Sequence, residues 1–208
     1  MAIAARRAGR NGGKRGEAKR QAILRGAKAV FLNKGFAGAN MDGVAAKAQV
    51  SKMTLYRHFN NKEQLFAGVV QVLCEQIVDA DLEQVFDQEP GRALRAFAER
   101  MIATVFARET VELHRIVIAE CRRFPKLGRL FYDTGPENCV AALASYFERH
   151  RGDRRLTIRE PRRSAEEFLE LLRGYAHLRL LLGLDKKASA RDVKARVEAA
   201  VRHVLRSG

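Results

Sequence analysis

The segment VSKMTLYRHFNNKEQLF, residues 50–66, decides how this chain is interpreted. No acidic residue occurs between Gly43 and Lys62. Side chains that donate hydrogen bonds are nevertheless concentrated here: Lys52, Thr54, Tyr56, Arg57, His58 and Lys62. Because nothing within the segment neutralises the basic groups, we expect the neutralising charge to lie on another molecule.

A helix that begins after Ser51 separates this segment into two faces. Ser51 is a favoured N-cap residue, and Val50 can pack against Leu55 across the first turn. At about 100° per residue, Leu55 and Phe59 share the inward face. The outward face then carries Met53, Thr54 and Arg57, flanked by Tyr56 and His58. The helix is therefore expected to present donors, one thioether and one aromatic ring to a partner.

A short helix precedes this one. Asn40 is a suitable N-cap for a helix from Met41 to about Ala48. The turn around Gln49 would join the two helices into a helix-turn-helix, whose second helix enters the major groove of DNA. Arg57 suits guanine edges, whereas Met53 or the Thr54 methyl group suits a thymine methyl. Three further side chains suit phosphates: Tyr56, Lys52 and Lys62, the last of them at a helix N-terminus.

The charge of the chain is unevenly distributed. The net charge is +15, and residues 1–64 hold 14 Lys and Arg against 3 Asp and Glu, which leaves +11 there. Such asymmetry favours nucleic acid or an anionic membrane surface as partner of the N-terminal part. Residues 1–16 are rich in Gly and Arg without apolar periodicity, so we predict a disordered basic arm that adds DNA affinity.

Cysteine usage and hydropathy indicate the compartment. The three cysteines are Cys74, Cys121 and Cys139, which are far apart and form no CxxC motif. This pattern fits a reducing compartment better than a disulfide framework. No apolar run approaches the roughly 18 residues of a membrane span. We therefore expect a cytoplasmic protein without a membrane partner.

The rest of the chain shows helical periodicity and no convincing strand. One helix from about Glu17 ends at Gly35, a suitable C-terminal glycine. Asn60 or Asn61 caps a long helix that begins at Lys62. Further helices are predicted over residues 91–106, 109–124, 127–133, 136–150, 164–183 and 189–206. The predicted fold class is all-α, with a basic three-helix module ahead of a larger helical domain.

The stretch MDGVAAKAQVSKMTLYRHFNNKEQLFAGVV, residues 41–70, closely resembles the N-terminal domain of the tetracycline-repressor (TetR) family. The resemblance extends over residues 17–70. It implies DNA contacts at Asn40, Lys52, Met53, Thr54, Tyr56, Arg57, His58 and Lys62. The chain departs from the family at Gln49, where glycine is common. A left-handed backbone there costs a non-glycine residue about 1 kcal/mol.

The second half is similar to the AefR-like C-terminal domain of some TetR regulators. The similarity lies in LHRIVIAECRRFPKLGRLFYDTGPENCVAALASYFERHRGDRRL, residues 113–156, and in FLELLRG, residues 168–174. It implies a helical domain that senses a ligand and dimerises. We therefore predict a basic arm at 1–16, a helix-turn-helix domain at 17–64, and a ligand-sensing and dimerisation domain at 65–208.

Two apolar stripes indicate a dimer interface. The stripe of helix 164–183 and that of the following helix comprise Phe168, Leu172, Tyr175, Leu178, Leu182, Val193, Val197, Val201 and Val204. Together the two helices can form a four-helix bundle with their symmetry mates in a two-fold homodimer. The alternative is that both stripes complete the core of a monomer.

A ligand cavity is predicted from helices 91–106 and 109–124. Its candidate lining residues are Phe97, Met101, Val105, Ile116, Val117, Glu120 and Phe124. Glu120 is either a polar anchor for the ligand or, as we favour, an internal structural contact. His114 is interpreted as structural. Apolar walls favour an apolar or aromatic small molecule.

Other functional classes lack support in the sequence. The chain has no nucleophile elbow, no HExxH and no Gly-rich phosphate loop, so we predict no enzyme, no cofactor and no metal site. The leading hypothesis is a ligand-responsive repressor that binds palindromic double-stranded DNA as a homodimer. A transcriptional activator of the same fold and a basic DNA-binding protein without sequence preference remain as alternatives.

Overall fold

The computed structural model describes residues 2–78 and 81–205, without the side chains of residues 2–15 and 83. Helices account for most of this part of the chain, and its only β-bridge joins Leu156 to Leu205. The helices are α1 (Ala2–Gly38), α2 (Met41–Lys47), α3 (Lys52–His58), α4 (Lys62–Glu75), α5 (Leu82–Phe86), α6 (Pro90–Val105), α7 (Arg108–Glu120), α8 (Pro125–Thr134), α9 (Pro136–Arg149), α10 (Pro161–Leu181) and α11 (Ala190–Val204). The all-α prediction is confirmed.

Helix α1 begins at Ala2, whereas the periodicity of the sequence indicates a start near Glu17. Met1 and the side chains of residues 2–15 lie outside the described part of the structure. The basic arm predicted for residues 1–16 therefore stays a prediction. At Gly35 the backbone leaves the helix with φ at 68°, at the position where the pattern predicts a terminating glycine.

Side-chain caps fix the starts of the three helices around the quoted segment. Asn40, Ser51 and Asn61 each accept a hydrogen bond from the backbone N–H three residues later, at 2.7, 3.1 and 2.8 Å. Such caps satisfy N–H groups that have no partner within the helix. The predicted starts of α2, α3 and α4 are confirmed.

The turn between α2 and α3 keeps a left-handed residue despite the absence of glycine. Gln49 has φ at 54°, which strains a side chain that carries a Cβ. The chain thus retains the usual turn geometry at a local cost.

The buried apolar side chains form two cores, and helix α4 contributes to both. The N-terminal core contains α1 to α4 and continues into the second half of the chain through Leu113, Val117 and Leu127. The C-terminal core is built around large buried rings such as Phe97, Tyr146 and Phe168. Helix α4 contributes to both cores, since its first residues belong to one and Cys74 to the other. The predicted boundary at residues 64 and 65 falls in the first turn of α4.

Close packing at Gly68 sets the position of α4 beneath α3. A Cβ at this glycine would approach Leu24 Cδ2 to 2.8 Å and Phe59 Cε1 to 2.9 Å. Phe59 directly follows α3, and its side chain is buried. The absence of a side chain at Gly68 therefore lets α4 hold the end of α3 against α1.

Candidate DNA-binding surface and ligand cavity

Helix α3 presents the outward face that the sequence predicts. Leu55 is fully buried, whereas Met53 is 83% exposed and Tyr56 is 49% exposed. Arg57 and Lys52 are also exposed. Thr54 is partly buried, and its hydroxyl lies 2.9 Å from the Ser51 hydroxyl. Four side chains, those of Lys52, Met53, Tyr56 and Arg57, are thus exposed in front of α3.

One basic side chain of this face has a partner in its own chain. Lys52 Nζ donates to Asp42 Oδ2 at 2.7 Å, and both side chains remain mostly exposed. The hydrogen bond and the charge of Asp42 raise the pKa of Lys52. Asp42 lies just outside the segment that has no acidic residue, so the composition of that segment did not indicate this ion pair. A phosphate at Lys52 would compete with Asp42.

Lys62 points into the protein rather than toward a DNA partner. Its Nζ donates to the carbonyl oxygens of Phe36 at 3.0 Å and Ala37 at 3.4 Å. The ammonium group also lies 4.6 Å from the centre of the Phe36 ring and 5.2 Å from that of Phe124. Because these contacts hold the charge inside the fold, we remove Lys62 from the proposed DNA contacts.

Two other predicted DNA contacts are only partly available. The Asn40 side chain is occupied by its cap of α2. His58 is partly buried, and its Nε2 is buried without a hydrogen-bond partner among the described residues. The cap uses only the Oδ1 of Asn40 and leaves its Nδ2 able to donate, whereas the Nε2 of His58 is buried.

Glu120 connects the end of α7 to the end of α1 and does not line the cavity. Its Oε1 accepts a hydrogen bond from the Ala37 N–H at 3.2 Å, just beyond the Gly35 bend. Nearby, the rings of Phe36 and Phe124 pack edge to face with centres 5.2 Å apart. The predicted alternative of an internal structural contact therefore describes Glu120. We call Phe36, Ala37, Lys62, Glu120 and Phe124 the junction.

A cavity of about 220 Å³ lies between α4, α6, α7, α8, α9 and α10. Three of the predicted lining residues, Met101, Val105 and Val117, do line it. The prediction is wrong for Phe97, Ile116, Glu120 and Phe124. Phe97 faces the rings of Phe86 and Phe168 within the C-terminal core. Glu120 and Phe124 belong to the junction.

The side of α7 that faces the cavity is shifted by about one residue position from the side that the sequence predicts. Thr110, His114 and Ile118 line the cavity and follow one another at intervals of four residues. Thr110 and His114 give this side a mixed polarity, so its apolar pattern is weaker than that of the predicted side. His114, interpreted as structural from the sequence, is thus a wall of the cavity.

The polar end of the cavity combines two histidines with one arginine. His114 Nδ1 lies 3.1 Å from His177 Nε2. Burial lowers the pKa of His114 to about 3, with further contributions from the charges of His177 and Arg173. Burial and then Arg173 lower the pKa of His177 to about 4. Both rings are therefore neutral at neutral pH.

This histidine pair predicts a loss of stability in mild acid. Folding lowers the pKa values of both histidines. Their contribution to the free energy of unfolding is therefore complete above the pKa of about 6.5 that they have in the unfolded chain, and it disappears as the pH falls toward 4. Between pH 6.5 and 5, the free energy of unfolding should fall by roughly 1.4 kcal/mol per pH unit for each histidine. The variant His114→Gln should lose about half of this slope in denaturant titrations. Parallel curves for the variant and the wild type would show that His114 is not held neutral.

The predicted dimer stripes divide into a buried and an exposed group. Five side chains are at most 3% exposed and fill the core of the protomer, namely Phe168, Leu172, Val197, Val201 and Val204. Val193 is partly buried against the same core. We correct the predicted interface by removing these six. Tyr175, Leu178 and Leu182 are 79%, 44% and 65% exposed.

A bend in α10 explains this division. Gly174 has φ at 42° and ψ at −154°, so the helix is interrupted and the following turns are rotated relative to the preceding ones. A stripe drawn with one helical period therefore does not continue past Gly174. The exposed residues after the bend, together with Leu171 and Leu184, are exposed apolar side chains on α10 or within three residues of its end. We call these five residues the α10 patch.

Other site types find no support within the described ranges. Residues 2–78 and 81–205 contain no group of three His, Cys, Asp or Glu side chains that could hold a metal ion. In the same part of the chain, no helix is long and apolar enough to cross a membrane.

A helix-turn-helix with an exposed basic second helix, joined to a helical domain with a cavity, defines a DNA-binding regulator of transcription. Residues 23–69 match the family model described as bacterial regulatory proteins, tetR family. Residues 92–207 match that of the AefR-like transcriptional repressor, C-terminal domain. The chain belongs to the TetR family of bacterial transcriptional regulators.

Solved structures of similar chains agree with this assignment. A TetR-family regulator from Mesorhizobium loti is 30% identical, with 92% of this chain and 99% of that one covered and a TM-score of 0.76. The flavonoid-responsive regulator FrrA is 33% identical, with 92% and 100% covered and a TM-score of 0.65.

Matches to curated relatives are shorter. The transcriptional activator FasR of Mycolicibacterium smegmatis is 38% identical over 60 residues, which are 29% of this chain and 27% of that one. The chain spans less than half of the length of the curated relatives it matches, from 24% to 46% for the first of them.

Proposed function

We propose that this protein is a ligand-responsive repressor that binds a palindromic operator as a homodimer. The observation that carries the proposal is that α4 and α7 each line the cavity and also contribute to the N-terminal core. A molecule in the cavity would therefore touch two helices on which the DNA-binding module rests. The description of the matched C-terminal family as a repressor supports the sign of regulation.

The junction supplies a route between the cavity and α3. Helix α7 ends at Glu120, which holds Ala37 N–H, while Lys28 of α1 pairs with Glu109 at 2.5 Å near the start of α7. Helix α4 begins at Lys62, which holds the carbonyl groups of the same α1 bend. A shift of α7 or α4 would thus move the end of α1 and, through it, the helix-turn-helix.

Operator binding requires two copies of α3 at a fixed separation. A palindrome is read when recognition helices lie about 34–36 Å apart, one turn of DNA, or a multiple of it. The ligand acts as an inducer only if it binds the other spacing more tightly, and a tenfold loss of operator affinity needs about 1.4 kcal/mol of such preference. An aromatic effector is supported by the apolar walls and by the flavonoid response named for FrrA.

The reciprocity of binding tests this proposal. If the ligand weakens operator affinity by some factor, the operator must weaken ligand affinity by the same factor. Both affinities can be measured by calorimetry with the full chain. A ligand that fills the cavity and leaves operator affinity unchanged would contradict the proposed switch.

Activation of transcription is the second candidate, because FasR, which matches over the DNA-binding module, is named an activator. The two candidates are distinguished by transcription in vitro from a promoter that carries the selected operator. A repressor lowers the amount of transcript when it binds, and an activator raises it.

Sequence readout by α3 gives a further prediction. Replacing exposed Arg57 with alanine should relax the preference at one base position of each half-site, at a cost of about 1–3 kcal/mol, because arginine pairs with a guanine edge through two hydrogen bonds. The measurement is the affinity for all single-base variants of the operator. As a matched control, Arg25→Ala removes the same charge from an exposed position of α1. An unchanged base preference in Arg57→Ala would end its proposed role.

A further inference from the structure

Two buried hydrogen-bonding atoms of cavity-lining residues lack partners. They are Thr110 Oγ1 and Arg173 Nε, neither of which has a hydrogen-bond partner among the described residues. Both residues line the cavity, and Thr110 is only 4% exposed. A buried polar atom without a partner costs about 1–3 kcal/mol. Such atoms are expected where a bound molecule completes the hydrogen bonds.

The charge of the cavity wall has one sign. Arg173 lines the cavity, whereas no aspartate or glutamate does so. The neighbouring Glu170 side chain is 68% exposed and pairs with Nη2 of Arg173, whereas the Nε of Arg173 is buried without a partner among the described residues. The adjacent His114 and His177 share one short contact and add neutral donors and acceptors. An anion would therefore find a cation and no carboxylate here.

The remaining walls are apolar. They include Leu73, Ile77, Met101 and Leu169. The Phe131 ring packs edge to face on His114 at a centre-to-centre distance of 4.8 Å, and Phe131 also lines the cavity. This combination fits a flat or compact hydrophobic body that extends away from one polar group.

We propose that the cavity binds a small aromatic acid, a molecule with an apolar ring body and one ionised carboxylate or phenolate that accepts hydrogen bonds from Arg173 Nε and Thr110 Oγ1. The proposal rests on the effector site proposed above and names the class of molecule that this site takes. A neutral ligand would give the buried Arg173 Nε only an uncharged acceptor, and such a hydrogen bond is weaker than one to an ionised group. A cationic ligand would meet Arg173 without any acidic partner.

The test uses matched probes on two ring bodies. One set is cinnamate, cinnamamide and cinnamylamine, and the other is 2-naphthoate, 2-naphthamide and 2-naphthylmethylamine. Their dissociation constants are measured by calorimetry with the full chain at neutral pH. In at least one set the acid should bind ten times or more tightly than its amide, and the amine should bind more weakly than both.

Variants connect this preference to the two side chains. Arg173→Met should weaken binding of the acid by roughly 10- to 100-fold, the range expected for a hydrogen bond to a charged group, and leave the amide within about threefold. Thr110→Val keeps the shape of the side chain and removes a hydroxyl that has no partner, so the variant should fold and bind the acid several-fold more weakly. Glu170→Gln is the control, since it removes the outer partner of Arg173 and should not weaken the acid.

Three results would overturn the proposal. They are an amide or amine that binds as tightly as its acid in every set whose acid binds, an Arg173→Met or Thr110→Val variant that keeps the full affinity for the acid, and a folded wild-type protein that binds neither acid. Failure of the proposed function looks different. In that case an acid binds through Arg173 but operator affinity does not change. A neutral compound that releases the operator would overturn the ligand class alone.

Discussion

A variant with Tyr175→Asp and Leu182→Asp is expected to remain folded, to become a monomer and to lose at least 100-fold in operator affinity. Both side chains belong to the α10 patch and are 79% and 65% exposed, so the changes leave the core of the protomer intact. In a two-fold dimer the introduced carboxylates would face their own copies and repel each other. A monomer loses the avidity that links two half-sites, which contributes factors of about 10²–10⁴.

The matched control for this variant is Tyr132→Asp. Tyr132 is 51% exposed on α8 and does not belong to the α10 patch. The control should stay dimeric in sedimentation experiments and bind the operator as the wild type does. A double variant that sediments as a dimer would place the interface elsewhere on the protein.

The variant Lys62→Ala is expected to lower the free energy of unfolding by about 2–4 kcal/mol. It removes the hydrogen bonds to the carbonyl groups of Phe36 and Ala37, and it removes the ammonium from between the Phe36 and Phe124 rings. A hydrogen bond from a charged group contributes about 1.5–3 kcal/mol, and a cation over a ring about 0.5–2 kcal/mol. Denaturant titration measures the loss.

DNA binding distinguishes this role of Lys62 from a phosphate contact. If Lys62 only holds the junction, the slope of log affinity against log salt should stay the same in Lys62→Ala once the folded fraction is taken into account. A lost phosphate contact would instead make the slope shallower by about one unit. Lys47→Ala is the control for charge, since Lys47 is exposed at the end of α2. Equal stability of Lys62→Ala and Lys47→Ala would contradict the structural role.

The helix-turn-helix was predictable because its signals are local. The caps at Asn40 and Ser51 and the inward position of Leu55 each depend on residues at most a few positions apart. A sequence displays such relations directly. The outward face of α3 followed from them.

The junction was not predictable in the same way. Lys62 binds the backbone of residues 26 and 25 positions earlier, and Glu120 binds Ala37 across 83 positions. Helical periodicity identifies which face of a helix is apolar, but it does not identify the element that the face meets. For this reason the sequence pattern predicted that Lys62 contacts a phosphate. It also predicted that Glu120 and Phe124 line the cavity, although both belong to the junction.

The dimer stripe shows a different limit. The pattern from Phe168 to Leu182 was interpreted with one unbroken helical period, yet Gly174 bends the backbone between them. A glycine within a helical pattern is compatible with a regular helix, so the sequence alone does not show the bend. Of the predicted stripe in α10, only the residues after Gly174 are exposed.

The proposal that this protein is a sequence-specific regulator is tested most directly by its preference among DNA sequences. Sites selected from random DNA by the full chain are ranked by affinity, and the best is compared with scrambled DNA of equal length at the same salt concentration. We expect the protein to bind one palindromic sequence at least about 1000-fold more tightly than scrambled DNA. Equal affinity for both, with only a steep salt dependence, would show a basic protein that binds DNA through charge alone and would contradict the account.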